Sequence, residues 1–392
     1  MVDFPVFDAD NHYYEPRDAF TRHLEPSMQK RAMQWATIDG KERLLVGGSV
    51  NRFIPNPTFE NVSKPGALAD YFRAKAGVGD MRAAFGELEP IGQRPEYRDR
   101  AERLRLMDEQ GLEACIMLPT LGVGMETALE RDPQALTAAF RAFNRWLQDD
   151  WGFNFQQRIY AAPYITLVDV AWAVEELEYA LGHDPGVVLV RPGSVFGYDR
   201  RRTPGDPAND PFWARLNEAG VTLVIHGGDS GYAPYEQIWG LSGETESFRI
   251  PPLKRLLSAS PIHDMMASLM ADRLFERFPN LRVATIETGS GWVAPMLKRL
   301  RTLAIQVPGE FDTDPYELFL EHVWVSPFFE DDVLKLVERV GADRVLFGSD
   351  YPHAEGLSDP VSFVKEIDGL ADADVRKIMH DNARSLVTPR PR

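Results

Sequence analysis

The sequence predicts an α/β protein whose residues 1–392 form one distorted (β/α)₈ TIM barrel domain with an insertion after the first strand. Three observations support this fold class. Eight short apolar runs recur along the chain, amphipathic helical stretches separate them, and both the first and the last run end in acidic and imidazole side chains. Alternating strands and helices favour a parallel sheet, and closing such a sheet places the first strand beside the last.

The apolar runs give the predicted strands, in chain order, at 6–10, 114–119, 159–163, 187–191, 221–226, 281–287, 323–326 and 344–350. Helical spacing of apolar residues predicts the main helices between them at 96–110, 133–150, 169–181, 210–219, 292–307 and 331–340. Several of these helices are followed directly by glycine, the residue that most often ends a helix. The predicted order is therefore strand, helix, strand throughout the chain after the insertion.

Residues 23–95 interrupt this alternation. The runs 35–38 and 43–46 flank Asp39-Gly40, a pair typical of a hairpin turn, and prolines punctuate the rest of the segment. An insertion after the first strand lies at the end of a barrel where active sites are built. We therefore expect a lid or a subunit contact there, and the sequence does not separate those two roles.

Composition limits the classes of partner. The chain is 44% hydrophobic and 26% charged, with a net charge of −16, so clustered basic residues that would attract nucleic acid or an anionic membrane are not expected. Cys115 is the only cysteine, which excludes an intramolecular disulfide. Met1 leads within five residues into the first strand rather than into a signal peptide, so we expect a cytoplasmic protein.

Polar side chains end most of the predicted strands. A single strand-terminal histidine is usually structural, but several ionisable residues at equivalent positions indicate a pocket wall at one end of the barrel. Two carboxylates and two imidazoles among them suit Zn²⁺ or Mn²⁺ better than Ca²⁺ or ions that prefer thiolates. The residues concerned are Asp10, His12, Arg191, His226, Glu287, Ser326 and Asp350.

Several motifs resemble the amidohydrolase-related branch of the amidohydrolase superfamily, which contains aminocarboxymuconate-semialdehyde decarboxylase and the γ-resorcylate-type decarboxylases. The resemblance runs from Val6 to about Leu386 and is weakest in the insertion. The motifs are Asp-Ala-Asp-Asn-His at 8–12, Val-Ile-His-Gly at 224–227, Phe-Pro-Asn-Leu-Arg-Val at 278–283, Glu-Thr-Gly-Ser-Gly-Trp at 287–292 and Phe-Gly-Ser-Asp-Tyr-Pro-His at 347–353.

The resemblance implies one divalent metal ion, Zn²⁺ or Mn²⁺, held by Asp10, His12, His226 and Asp350. Asp10 departs from the His-x-His pattern of some relatives, and a carboxylate at that position favours oxygen-preferring metals such as Mn²⁺. Members with two metals carry a lysine at the end of the fourth strand, where this chain has Arg191. One metal is therefore expected.

Glu287 is the larger departure, because decarboxylases of this branch carry a histidine at the end of the sixth strand. A buried glutamate can still move a proton if burial raises its pKa, or it can pair with an arginine as a structural residue. Glu15 and His353 are expected to support the site from behind, Glu15 by holding a ligand imidazole. Ser326 is a further candidate for such support.

The favoured function is non-oxidative decarboxylation, or a related C–C cleavage, of a small carboxylic acid, either aromatic or not, with Arg191 anchoring a carboxylate and Asp350 or Glu287 moving the proton. One alternative is a hydrolase of amide, lactone or C–C bonds, in which Asp350 deprotonates a metal-bound water. A second is a barrel that binds a metal or ligand without turnover. The resemblance also implies a small-molecule substrate and a homo-oligomer, either a dimer or a tetramer.

Overall fold

Eight extended segments pair in parallel and close into a barrel. The computed structural model describes residues 3–54, 56–73, 80–197, 201–241, 251–256, 261–328 and 331–390. The first seven barrel strands are Val6–Tyr13, Leu112–Pro119, Ile159–Ala161, Val187–Val190, Thr222–His226, Val283–Ile286 and Val323–Val325. Strands one to three form one parallel sheet and strands four to seven form another.

Isolated β-bridges join the two sheets to each other and attach an eighth segment, which closes the barrel. Tyr164 pairs with Leu189 and joins the third strand to the fourth, while Val345 pairs with Val325 of the seventh. Tyr351 pairs with Asn11 of the first strand, so the segment 345–351 serves as the eighth. The predicted (β/α)₈ barrel is confirmed.

The eighth segment is less regular than the predicted strand 344–350. Its backbone leaves the extended conformation at Asp350, where φ is 55°. Pairing to the first strand nevertheless continues on both sides of that residue, because the Ala9 N–H donates to the Phe347 carbonyl at 2.9 Å and the His12 N–H donates to the Tyr351 carbonyl at 2.7 Å. The irregular backbone therefore stays beside the first strand.

Helices cover the outside of the barrel, and side-chain caps explain where several of them begin. Asp99 accepts hydrogen bonds from the N–H groups of Ala101 and Glu102, which starts a helix four residues later than predicted. The α-helices after the insertion are Arg100–Gln110, Pro133–Asp150, Val170–Leu181, Asp210–Ala219, Ala233–Ile238, Pro252–Leu256, Pro261–Ala271, Leu274–Arg277, Val293–Gln306, Pro315–His322, Val333–Val340, Asp372–Arg376 and Asn382–Leu386. None of the helices in these described ranges combines the length and apolar character needed to cross a bilayer.

The insertion contains the predicted hairpin. Met33–Ile38 pairs antiparallel with Lys41–Val46, and Asp39 and Gly40 both have positive φ, as a tight two-residue turn requires. The remaining insertion elements are the strands Ser49–Val50, Asn61–Ser63 and Leu88–Pro90 and the helices Ala69–Phe72 and Met81–Phe85. Residues 55 and 74–79 of the predicted insertion lie outside the described residues.

Candidate metal centre

Carboxylates and imidazoles from four barrel strands meet at one end of the barrel. His12 Nε2 lies 3.1 Å from Asp10 Oδ1 and 3.3 Å from Asp350 Oδ1. His226, at the end of the fifth strand, places Nε2 3.6 Å from Asp10 Oδ1. All four side chains are buried. The structure therefore brings the four candidate metal ligands together, although the first and last are supplied by opposite ends of the chain.

Glu287 belongs to the same cluster. It follows the sixth strand, and its Oε2 lies 2.8 Å from His226 Nε2 and 3.7 Å from His12 Nε2. One donor atom from each of Asp10, His12, His226 and Glu287 lies within 4.8 Å of the others, and the same holds for His12, Glu287, Asp350 and His353. Glu287 thus faces the candidate ligands directly and makes no ion pair with an arginine among the described contacts.

Two glycines make room for this cluster. A Cβ atom at Gly348 would lie 2.6 Å from Asp10 Cβ and 2.7 Å from Ser326 Oγ, and one at Gly227 would lie 2.5 Å from the Glu287 carbonyl oxygen. Real side chains do not approach so closely, so only glycine fits at either position. Barrel closure at this end depends on both residues.

The backbone at two of the acidic residues is strained. Glu287 and Asp350 have φ values of 52° and 55°, in the left-handed region that residues with a side chain rarely occupy. Each such residue costs about 1–3 kcal/mol, and strain of this kind collects at functional sites. The surrounding fold therefore holds both carboxylates in positions that their local sequence disfavours.

The electrostatics of the cluster call for a cation. His226 Nδ1 lies 2.6 Å from the Gly227 carbonyl oxygen, which can only accept, so Nδ1 carries a proton and Nε2 faces the carboxylates. Within the described structure, Asp350 Oδ2 is buried without a hydrogen-bond partner, and the buried His226 Nε2 forms no hydrogen bond of good geometry although Glu287 Oε2 lies 2.8 Å away. Burial, followed by the charge of Glu287, raises the pKa of Asp350 well above its usual range. The nitrogen and oxygen atoms of these side chains form a mixed set of possible metal ligands, which suits Zn²⁺ or Mn²⁺.

His353 supports the cluster from behind. Its Nδ1 lies 2.5 Å from Asp350 Oδ1, its Nε2 lies 2.9 Å from Thr120 Oγ1, and its ring centre is 4.1 Å from that of His12. Contacts of this type orient a ligand carboxylate and limit its motion. The sequence predicted His353 as a supporting residue, but Thr120, at the end of the second strand, was not identified.

The expected role of Glu15 is wrong. Its carboxylate accepts hydrogen bonds from the backbone N–H groups of Leu121 and Gly122 at 2.9–3.0 Å, and in the described structure it contacts no imidazole by a hydrogen bond. Burial raises the pKa of Glu15 to about 7. Glu15 therefore joins the first strand to the loop after the second, and the carboxylate that holds a histidine is Asp350 instead.

Arg191 does not line the cavity above the cluster. It lies one residue beyond the fourth strand, with Nε 3.7 Å from Glu126 Oε2 and the guanidinium 4.2 Å from the Phe196 ring centre. The structure therefore does not place Arg191 in the described lining of this cavity, although its buried Nε and Nη1 make no hydrogen bond within the described residues. Its expected role as an anchor for a substrate carboxylate stays a prediction. Ser326 is buried, and a Cβ atom added at Gly348 would touch both its Oγ and Asp10 Cβ, so the Ser326 side chain lies near that of Asp10.

Asp8 and Arg103 hold the first strand in place, and sequence reasoning assigned neither of them a role. Asp8 accepts hydrogen bonds from Ser349 N at 2.9 Å, Ser349 Oγ at 2.5 Å and Asn11 Nδ2 at 2.9 Å. Arg103 is fully buried and donates to Asn11 Oδ1 and to the His12 carbonyl. Side chains alternate between the two faces of a strand, so Asp8 and Asp10 share one face of the first strand. This pattern was the sequence signal that could have identified Asp8.

A cavity of about 360 Å³ opens above the cluster. Its described lining contains no lysine or arginine, and its polar residues are His12, His226, Glu287, His353 and Glu355 together with Ser63 and Thr120. A cavity of this size, mostly apolar with a few convergent polar groups, is typical of small-molecule sites. Its apolar wall consists of Tyr14, Phe53, Ile54, Phe85, Pro119 and Val123, together with Ala354.

Comparison with known proteins agrees with this geometry. The chain is similar to γ-resorcylate decarboxylase of Rhizobium sp. (strain MTP-10005), with 28% identity over 294 residues that cover 72% of this chain and 85% of the relative. It is also similar to the crystal structure of an amidohydrolase from Mycobacterium avium subsp. paratuberculosis K-10, with a TM-score of 0.94, 42% identity and coverage of 99% and 100% of the two chains.

A dihydroxybenzoic acid decarboxylase from Polaromonas sp. JS666 shares the fold, with a TM-score of 0.57, 20% identity and coverage of 84% of this chain and 95% of the other. That structure contains manganese and the inhibitor 2-nitroresorcinol. The family model described as Amidohydrolase matches residues 7–387, which is nearly the whole chain and includes every residue of the cluster. The resemblance seen in the motifs is thereby confirmed, and the protein belongs to the Amidohydrolase family of enzymes.

Proposed function

We propose that the protein is a metal-dependent, non-oxidative decarboxylase of a small aromatic carboxylic acid. The observation that carries the proposal is the meeting of Asp10, His12, His226 and Asp350 beside Glu287 at the floor of an apolar cavity. The relatives named γ-resorcylate decarboxylase support the reaction type, since they align with 72% of this chain.

Asp10, His12, His226 and Asp350 would hold the ion, either Mn²⁺ or Zn²⁺. The manganese in the related decarboxylase structure supports Mn²⁺, as does the carboxylate that stands at position 10. When bound, the ion supplies Lewis-acid stabilisation of negative charge on the substrate oxygen atoms. The absence of lysine and arginine from the described cavity lining leaves the ion as the main positive charge for a carboxylate there.

Glu287 is suited to move the proton. Its side chain is 21% exposed, whereas those of Asp10 and Asp350 are 3% exposed, so it is the carboxylate of the cluster that reaches furthest into the cavity. In the reaction the bond between the ring carbon and the carboxylate breaks, CO₂ leaves, and its bonding electrons remain on that carbon. Glu287 then donates a proton to the carbon and regains one from water.

A hydrolase is the second candidate. Asp350 Oδ2 is buried and has no hydrogen-bond partner in the described structure, which is the arrangement expected of a base that accepts a proton from water. His353 would hold the other oxygen of that carboxylate, 2.5 Å away. The same residues would then cleave an amide, a lactone or a C–C bond.

The test is CO₂ release from 2,6-dihydroxybenzoate by protein reconstituted with Mn²⁺ or Zn²⁺. We expect release to require the metal, and the Glu287→Gln variant to lose about 100-fold or more in rate while keeping its metal by elemental analysis. Glu321→Gln, the same substitution on an exposed residue just before the seventh strand, serves as the control. Absence of CO₂ together with hydrolysis of an ester or amide would favour the second candidate.

A further inference from the structure

Phe53 separates two cavities. It lines the 360 Å³ cavity above the metal cluster and also a neighbouring cavity of about 770 Å³. Gly228 is the other residue that lines both. The larger cavity continues along the insertion and the loop after the fifth strand, where Asn51, Ser230, Tyr232 and Lys254 line it. A ring from the insertion therefore forms part of the wall between the two spaces.

The position of Phe53 is set by contacts with the loop after the second strand. Asn51 Nδ2 donates to the Gly124 carbonyl oxygen at 3.1 Å, and Asn51 Oδ1 accepts from the Phe53 N–H at 3.0 Å. A Cβ atom at Gly124 would lie only 2.5 Å from Phe53 Cδ1, so the ring packs directly on the backbone there. These contacts join the insertion to the barrel directly beside the Phe53 ring.

The rest of the wall is the main chain at Gly228, which packs closely against Val123. A Cβ atom at Gly228 would lie 2.8 Å from Val123 Cβ and 2.9 Å from the Val123 carbonyl oxygen. The Asp229 N–H donates to that same carbonyl at 3.0 Å. Because these contacts fix the loops on both sides, the half-buried Phe53 ring is the part of the wall that a substitution can remove.

We infer that Phe53 limits how far an acid in the metal cavity can extend toward the larger cavity, and so favours single-ring acids over fused two-ring acids. The inference rests on the proposed function for the identity of the acids. Removing the ring joins a space of about 360 Å³ to one of about 770 Å³, which gives a second ring more room on that side without altering the metal cluster. Selectivity then depends on a residue of the insertion rather than of the barrel.

The test compares 2,6-dihydroxybenzoate with 1-hydroxy-2-naphthoate on the Mn²⁺-loaded protein. Dissociation constants come from calorimetry and kcat/KM from CO₂ release, for the native chain and for Phe53→Leu and Phe53→Ala. We expect the preference for the naphthoate to rise about tenfold or more in Phe53→Ala and by less in Phe53→Leu. Phe72→Ala is the matched control, because Phe72 is a half-buried ring of the insertion that lines neither cavity.

The outcomes separate this inference from the proposed function. A shift in binding preference without CO₂ from either acid would support the wall and overturn decarboxylation. CO₂ from the single-ring acid with an unchanged preference in Phe53→Ala would overturn the inference and leave the function standing. An equal shift in Phe72→Ala would show a general loosening of the insertion and also overturn it. If neither acid bound any variant, the inference would fail together with the substrate class.

Discussion

Substituting Gly348 by alanine should damage metal binding more than it damages folding. The new Cβ would lie 2.6 Å from Asp10 Cβ, whereas carbon atoms in contact are about 3.5–4.0 Å apart. Asp10 must therefore move by about 1 Å, several times the ±0.2 Å within which metal–ligand distances hold. Gly348 has no positive φ, so the alanine backbone itself is not strained.

The expected loss of Mn²⁺ affinity is about 10–100-fold, the range seen when the support of a metal ligand is removed. Overpacking should lower the free energy of unfolding by about 1–3 kcal/mol. A competition titration against a chelator measures the first quantity, and urea unfolding of the metal-free protein measures the second. The two measurements separate a displaced ligand from a damaged fold.

Gly92→Ala is the matched control, because an added Cβ there meets no atom within 4 Å. It should change neither quantity. Unaltered Mn²⁺ affinity in Gly348→Ala would refute the reasoning, because it would mean that Asp10 does not need its observed position to hold the ion. An equal loss in Gly92→Ala would also refute it.

Three further predictions concern stability. Burial raises the pKa of Glu15 from 4.5 to about 7. Between these two pH values the folded protein keeps a proton that the unfolded chain has released. The free energy of unfolding therefore falls by up to about 3 kcal/mol as the pH rises from about 4.5 to about 7. Glu15→Gln should remove this part of the fall, as urea unfolding at several pH values would show. Arg103→Met should cost about 3 kcal/mol, because it leaves the buried Asn11 side chain and the His12 carbonyl without their donor; an unchanged denaturant midpoint would contradict this. Removing the metal with a chelator should lower the thermal midpoint, since an ion at 100 times its dissociation constant stabilises by about 2.7 kcal/mol; calorimetry with and without Mn²⁺ checks it.

The barrel was predictable because its signals are local and repeat along the chain. Helix Pro133–Asp150 matches its prediction, since an aspartate cap and a proline in the first turn mark its start. The meeting of Asp10 with Asp350 followed from closure, because in a closed sheet the first and last strands lie side by side. Topology alone therefore indicated which side chains would converge.

Side chains beyond the strand ends were harder to predict. Arg191 lies one residue after Val187–Val190, where strand alternation no longer sets its direction. Its partners are Glu126, from another loop, and Phe196, further along its own. Glu15 finds backbone N–H groups, which no sequence pattern marks as partners. Phe53 reaches the cavity through contacts of the insertion with the barrel, and such long-range contacts have no periodic signature.

The hydrogen bonds of Asp8 to Ser349 span 341 positions and join the two ends of the barrel. During synthesis the early strands emerge long before the residues that complete the cation-binding pocket, so a nascent chain carries Asp10 and His12 without their later companions. An ion that needs all of these ligands would bind only after the final strand has docked. Its occupancy would then report that the first and last strands have been made and have paired, rather than that either half of the barrel has folded.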